Sequence, residues 1–413
     1  MARAQRERHS TAPLVAGPAA PADAGAAGGR VDGGCPAEAD TAAREARCIL
    51  FVDCDRFYFS VEAAERPGLA AEERAVIIGR DPRQFRRGIV TTANDAARAL
   101  GIGSGMSAAT ALRLAPTALF LPPRHEQYAR YSARVMAVLR DESPLVQQHS
   151  IDEAACAWPS GFLPEPALSL RERLLAETGL SVSLGLATSP LVAKMASELA
   201  KTRPDHLCLV PPGREAALLA PLPIRALVGV GPKVAARLQP LGIATIGDLA
   251  ARPVEQLVGT FGRAYGTYLW EASRGIDASP LVAERVAKSI AAEHTFPTDT
   301  ADRRALWREL RAQAEEVAGR LRAEGMLARE VAIKLRSADW QTSTRQLRLP
   351  LPTAAASELA NGAAALMRRH WDRRPLRLIG LRAGHLTSAE QPAQLPLPTS
   401  PAPPASTRAG EGA

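Results

Sequence analysis

Two pairs of carboxylates stand out by type and spacing. Asp53 and Asp55 close the apolar run CILFVDCD (residues 48–55), and Asp152 and Glu153 sit side by side in QQHSIDEAACAW (147–158). Neighbouring carboxylates repel, and successive strand residues point to opposite faces. Such a pair is therefore either a solvated turn or part of a pocket in which something positive holds it. If the two acidic strand ends lie next to each other in one sheet, they form a pocket of three or four carboxylates that divalent cations must fill. Mg²⁺ takes oxygen ligands, few protein carboxylates and substrate phosphates for the rest. That donor set suits a two-metal phosphoryl-transfer site, one ion activating an attacking hydroxyl and the other holding a triphosphate and its leaving pyrophosphate. Spacing alone leaves the solvated turn open.

The elements around these residues alternate strand and helix. CILFVDCD reads as a buried strand with an acidic C-terminal end. RFYFSVEAAE follows with Phe57, Val61 and Ala64 at helical spacing, and AVIIGR (75–80) is a second strand. NDAARALGIGSGMSAATALRLAP (94–116) reads as two short helices parted by a Gly-rich turn. The long helix over 125–143 places Tyr128, Tyr131, Val135 and Val138 on one side. A strand–turn–strand around Asp152 comes next, then a helix (168–179), a strand (181–189) and a helix opening on Pro190 (190–202). This gives a mixed α/β or α+β sheet domain. A Pro-rich join (210–223) leads to an all-helical stretch ending near Arg274, and a second join to a strand-bearing region dense in Arg and Lys (288–387).

Composition sets the outer bounds. At 413 residues the chain predicts two or more domains. Its net charge of +8, from 51 Lys and Arg against 43 Asp and Glu, suits a polyanionic partner, although Arg-rich composition alone also produces it. Five scattered cysteines with no CxxC pair argue against a disulfide framework or zinc site and for a reducing compartment. No apolar h-region follows the basic N-terminus, and no run is long and apolar enough to span a bilayer. The expectation is a soluble, cytoplasmic protein with no membrane partner. Residues 1–47 and 388–413, rich in Ala, Gly and Pro, read as disordered.

Four segments, ILFVDCDRFYFSVE, TTANDAARALGIGSGM, SIDEA and SLGLATSPLVAKMASELAK, occur in the order and rough spacing of the Y-family DNA polymerases, and the chain resembles the DNA polymerase IV (DinB-type) branch. The resemblance covers about residues 48–387. It implies an α+β, right-hand polymerase: a ferredoxin-like palm (48–56 and 124–201), small fingers (57–123), a helical thumb (202–282) and an α/β little finger (288–387). It further implies low-fidelity, template-directed translesion synthesis by a monomer, with primer–template DNA, deoxynucleoside triphosphates and two Mg²⁺ per active site. No segment long enough for a proofreading exonuclease is expected. Asp53, Asp152 and Glu153 would be the catalytic, metal-binding carboxylates, and Cys54 would offer only its backbone carbonyl. Asp55 would stay outside the metal shell. Tyr58, beside Phe57 at the nucleotide, takes the steric-gate position, and Thr92, Arg98 and Lys194 match triphosphate-binding positions whose donors suit phosphate oxygens. Two departures stand out. Asp95 replaces the family's usual Tyr, so its charge must turn away or be compensated, and Ala155, Cys156 and Ala157 replace an aromatic, Leu and Asp.

The rest of the chain reads as a DNA grip. ALVGVGPKVAARLQPLGIATIGDLA (226–250) has a helix–GVG–helix pattern, with backbone N–H groups of Val230 and Gly231 expected at a phosphate and Lys233 among the contacts. An ordinary helical-hairpin turn gives the same pattern. In VAIKLR, alternation puts Lys334 and Arg336 on one face and Val331, Ile333 and Leu335 on the other. That basic face suits phosphates, with steep salt dependence. In the tail, Gln394, Leu395 and Leu397 of QLPLP resemble a short sliding-clamp-binding peptide in which Pro398 replaces the usual aromatic. Two rivals come from other classes. A non-catalytic adaptor bridging the clamp to another polymerase has no reason to keep three repelling carboxylates, and a nucleotidyl cyclase has no use for a DNA-gripping thumb and little finger.

Overall fold

The structure, a computed structural model, describes residues 47–66, 68–284 and 286–389. It divides into two compact units that meet between residues 285 and 286. Strand β1 (Ile49–Cys54) is the centre of the first. It runs between β6 (Glu153–Ala157) and β7 (Val182–Ala187) in the five-stranded order β5-β6-β1-β7-β8, with β5 at Val146–Gln148 and β8 at Leu207–Leu209. Every residue of β1 is buried, because both sheet faces are covered. Leu50, Val52 and Cys54 pack with residues of α4 (His125–Glu142) and α5 (Pro164–Thr178), including Tyr128, Val135, Leu170 and Leu174. Ile49 and Phe51 pack on the other side with Leu191, Val192 and Met195 of α6 (Pro190–Ala200). The period of two in β1 thus sends Asp53 to the α6 side.

Helix α6 lies very close to the sheet. A Cβ on Gly185 of β7 would meet the Ala193 carbonyl oxygen at 2.0 Å and the Ser197 nitrogen at 2.4 Å. Ser189 caps the helix N-terminus, accepting from the Val192 N–H, and Pro190 follows at the first position. The strand–turn–strand expected around Asp152 is observed as β5 and β6, antiparallel with Val146 opposite Cys156.

Helix α1 (Phe57–Glu65) leads into a smaller three-stranded sheet, β3-β2-β4, formed by β2 (Val76–Gly79), β3 (Val90–Ala93) and β4 (Leu119–Leu121). With α2 (Asp95–Ala99) and α3 (Ala108–Leu114), it closes a core rich in alanine: Ala93, Ala97, Ala108, Ala111. Small side chains bury little apolar area per residue. Beyond β8, helices α7 (Glu215–Leu219), α8 (Pro232–Leu238), α9 (Ile246–Ala250), α10 (Val254–Phe261) and α11 (Arg263–Ala272) form the helical part.

The second unit is a βαββαβ layer: β9 (Ser289–Thr300), α12 (Arg303–Ala323), β10 (Met326–Ser337), β11 (Thr342–Thr353), α13 (Ala356–His370) and β12 (Leu376–Ser388). Its sheet has the all-antiparallel order β11-β10-β12-β9 and shares one apolar core with both helices.

Several boundaries differ from the sequence reading. The large sheet continues past residue 201 into β8, which pairs parallel to β7. Helix α1, expected with the fingers, places Phe57 and Val61 in the core of the large sheet and only Phe59 toward the small one. The 210–223 join contains α7. Strands β3 and β4 and helices α12 and α13 also emerge only here. No helix among the described residues is long and apolar enough to cross a membrane.

Candidate active site

The strand register brings the two acidic sequence sites together. Asp53 of β1 pairs directly with Glu153 of β6, so the carboxylates are cross-strand neighbours on one face. Against that face lies a stripe at and just beyond the C-terminal half of α6: Lys194, Glu198 and Lys201, spaced to fall on one side of the helix. Lys194 Nζ donates to Glu153 Oε1 at 2.6 Å, and Lys201 Nζ to Asp53 Oδ2 at 3.0 Å and to Glu198 Oε1 at 2.7 Å. Lys194 also sits over the Phe51 ring, 4.9 Å from its centroid. Burial pushes the Asp53 carboxyl up to about 7; Lys201 opposes this, while Glu153 and Glu198 add to it.

Oxygens of Asp53, Glu153 and Glu198 lie within 4.8 Å of one another. The donor set is all oxygen and partly buried, and two ammonium groups already sit in it as cations, so it fits a hard divalent cation such as Mg²⁺. Glu198 and Lys201 are absent from the sequence reading. The signal for them was the spacing of Lys194, Glu198 and Lys201.

Asp152 lies at the turn before β6, where its carbonyl accepts from the Cys54 N–H at 2.9 Å and its carboxylate accepts from Ser150 Oγ at 2.5 Å. Its carboxyl is raised by burial and by the Glu153 charge, against the Ser150 hydrogen bond and Lys194. It is not among the three carboxylates that converge. The Cys54 thiol is buried and pushed well up, chiefly by burial. Asp55 is engaged elsewhere: Ser181 Oγ and Ser183 Oγ donate to it at 2.9 and 2.7 Å, and His206 Nδ1 lies 3.3 Å away.

Tyr58 is half-buried, its ring 4.8 Å from that of Tyr128 in an edge-on contact. Its hydroxyl is raised by burial and then by the Asp152 charge. Tyr128 in turn donates to fully buried Glu62 at 2.7 Å, and Arg124 grips the same carboxylate through Nε (3.0 Å) and Nη2 (2.7 Å). The Phe57 ring is buried in the core, so any contact it makes with a nucleotide is through its backbone. In the small sheet, Arg98 Nη2 donates to Thr92 Oγ1 at 3.1 Å and Nε to the Ala93 carbonyl at 2.9 Å. Asn94 fixes this corner by capping α2 and bonding the β2 backbone at Val76. The compensation that Asp95 requires is present: Arg56, in a left-handed conformation at φ 50°, pairs with it.

A cleft of about 670 Å³ runs from Lys194 and Glu198 to the Val228–Gly231 turn. Tyr268 and Tyr265 donate to the Val228 and Gly229 carbonyls at 2.6 and 2.8 Å, fixing a turn in which Gly229 has φ +86°. The Val230 N–H is not available to a phosphate, contrary to expectation. It donates to the Leu227 carbonyl at 3.0 Å, and the side chain is buried. Gly231 and Lys233 are exposed. In the second unit Lys334 and Arg336 do share a face opposite the buried Val331, Ile333 and Leu335. Lys334 is paired with Glu293 at 2.8 Å, and Arg336 Nε donates to Thr342 at 2.7 Å, so part of the basic face is internally matched. Gln394, Leu395 and Leu397 lie outside the described residues.

Comparison with known proteins gives the family. Residues 52–198 match the impB/mucB/samB family, 287–397 its C-terminal domain, and 225–277 a family described as DNA polymerase-iota, thumb domain. A DNA polymerase IV of Dehalococcoides mccartyi is 41% identical over 342 residues, covering 81% of this chain and 86% of its own. One of Streptomyces coelicolor is 38% identical over 355 residues, covering 84% and 73%. The chain belongs to the Y-family DNA polymerases, in the DNA polymerase IV branch. It is an enzyme of the DNA-directed DNA polymerase class. Among solved structures, a Y-family DNA polymerase chimera superposes with a TM-score of 0.73 at 23% identity, over 83% of this chain and 99% of that one. DinB from Sulfolobus solfataricus does so with 0.55 at 23%, over 82% and 98%. These two show the same fold, that of a right-hand polymerase with palm, fingers, thumb and little finger.

Proposed function

We propose that this polymerase adds deoxynucleotides to a primer 3′ end under template direction, as a low-fidelity translesion enzyme without proofreading. The observation that carries the reading is the register that sets Asp53 opposite Glu153 beneath the Lys194–Glu198–Lys201 stripe. Asp53, Glu153 and Asp152 would hold two Mg²⁺ with the Cys54 carbonyl. Bound there, the ions would acidify the primer hydroxyl and neutralise the triphosphate.

The chain's own residues supply the rest. Lys194 and Lys201 now neutralise carboxylates and can exchange those partners for phosphate oxygens of an incoming nucleotide. Glu198 holds Lys201 in place for that exchange. Arg98, oriented by Thr92 and the Ala93 carbonyl, offers a fork of donors to the same phosphates. Tyr58, braced by Tyr128, stacks beneath the sugar and excludes a 2′-hydroxyl. The small fingers check the nascent pair loosely, which supports low fidelity. Gly231 and Lys233 reach the DNA backbone, and Lys334 and Arg336 line the little finger's phosphate-facing side. The tail at Gln394, Leu395 and Leu397 docks on a sliding clamp, and the enzyme works as a cytoplasmic monomer. Primer extension with Mg²⁺, all four deoxynucleotides and a primed template tests the core of this reading. Template-directed extension without 3′-end removal is expected. Tight primer–template binding with no extension would identify the adaptor instead.

A further inference from the structure

At one end of the little-finger sheet, a tryptophan stands in solvent on a strained turn. Trp340, between β10 and β11, is 61% exposed and has φ +66°. A left-handed backbone is costly for a bulky residue and persists only where the surroundings enforce it. Here they do. The Trp340 N–H donates to the Ser337 carbonyl and the Ser337 N–H to the Gln341 carbonyl, each at 3.0 Å. The neighbouring loop before β12 is tied on by the Ala338 N–H donating to the Pro375 carbonyl at 3.1 Å, and it carries a second left-handed residue, Arg373 at φ +67°.

Guanidinium groups surround the ring. Arg377 lies 4.0 Å and Arg336 5.7 Å from its centroid. Asp339 and Asp372 both pair with Arg374. Two guanidinium groups thus flank an open aromatic surface. A core role would bury the ring, whereas this turn holds it out.

We propose that Trp340 is a stacking platform for an unpaired base of DNA, with Arg336 and Arg377 holding the flanking phosphates. Rings flanked by arginine suit single strands, because every base has a π-face and every nucleotide a phosphate. The proposal deepens the DNA-polymerase reading and rests on it. Its test reads binding alone, without metal or nucleotide, so it is scored separately from extension.

Fluorescence anisotropy at fixed salt would compare the full chain with Trp340→Ala, Trp340→Phe and Arg377→Ala. The probes are a labelled single-stranded oligonucleotide and a blunt duplex of equal length. Trp340→Ala should lose about tenfold in single-strand affinity, and Trp340→Phe should recover most of it. Arg377→Ala should fall between them, and duplex affinity should change less than twofold. Unchanged single-strand binding in Trp340→Ala overturns the proposal, including the case where the variant instead loses a protein partner. An equal loss on both probes also overturns it. Matching thermal midpoints for all variants confirm that the comparison is between folded proteins.

Discussion

Two buried carboxylates in this molecule are held in opposite ways. Glu62, fully buried between α1 and α4, is satisfied by a bidentate arginine and a tyrosine hydroxyl. Asp53, also buried, faces a second carboxylate across the sheet and leans on one lysine that it shares with Glu198. The first arrangement is closed: its planar, forked donor cannot be replaced by another cation without losing geometry. The second is open, because lysine is a mobile point charge. Removing the partner of a buried charge is costly, whereas removing one of two repelling charges is not. The contrast separates a carboxylate that holds α1 to α4, and with them the Tyr58 ring, from one that waits for a ligand.

The largest expected effect breaks the contrast directly. Asp53→Asn and Glu153→Gln should each cut primer extension by on the order of 10²-fold or more, with DNA binding retained and thermal midpoint unchanged or higher. Glu62→Gln should do the reverse. It leaves Arg124 with Glu65 and solvent as partners and should cost about 1–3 kcal/mol, while extension at a permissive temperature falls far less. A thermally silent Glu62→Gln, or an Asp53→Asn enzyme extending at the wild-type rate, would erase the distinction.

The next effect follows from what the closed site supports. Tyr58→Ala should raise ribonucleotide incorporation relative to deoxynucleotide by roughly 10- to 100-fold, the range a missing steric contact spans. Tyr128→Phe keeps the ring that braces Tyr58 and removes only the hydrogen bond to Glu62. It should therefore leave sugar selection nearly intact. Competing specificity constants for the two nucleotides read both variants, and an unchanged ratio in Tyr58→Ala would remove it as the gate.

A third experiment sharpens the open site by pH. Metal binds the ionised form of Asp53, so protons compete. With its carboxyl raised to about 7, chiefly by burial, apparent Mg²⁺ affinity should fall about tenfold per pH unit below 7 and level off above 8. The stability sign is opposite in metal-free protein. A carboxyl raised from 3.8 contributes stability that is fully present below 3.8 and lost as pH rises through about 7. Acidification from pH 8 to 6 should therefore raise the metal-free thermal midpoint and shrink the gain given by added Mg²⁺. Asp53→Asn should flatten both trends.

How much of this was legible in the sequence depends on the distance over which each feature is fixed. The polar ends of β1 and β6 are readable, since an apolar run that ends in carboxylates (β1) or starts from them (β6) shows in the residue types. That Asp53 stands opposite Glu153 was not, because register is set by long-range pairing. Lys201 closes a segment whose spacing reads as helix, although the helix itself ends at Ala200, and its role needs the helix phase relative to the sheet, which the close approach at Gly185 fixes. Val230 was misread because the GVG pattern shows where glycines allow a turn and not which N–H groups the turn consumes. Helix α12 carries Leu306, Leu310, Ala314, Val317 and Leu321 at clear helical spacing. That spacing makes α12 legible in the sequence beside the basic strands.

The smallest expected effect concerns the departure at Asp95. A carboxylate beside a triphosphate site should weaken nucleotide binding, but Arg56 matches its charge, and the two side chains are 45% and 77% exposed. Exposed pairs are worth about 0–1 kcal/mol and are screened by salt, so the penalty Asp95 imposes is small. Asp95→Tyr should lower KM for the incoming nucleotide by no more than about fivefold, and by less at high salt, as Arg56 is released toward the phosphates. Arg56→Ala alone exposes the uncompensated carboxylate and should raise KM. The double variant should lie near the wild type, because removing both charges leaves nothing to compensate. The cycle isolates the pair as long as each single change adds no new contact. A double variant that keeps the raised KM of Arg56→Ala would show that Arg56 does not act through Asp95, and a higher KM in Asp95→Tyr would show that the pair positions Arg56 instead of restraining it.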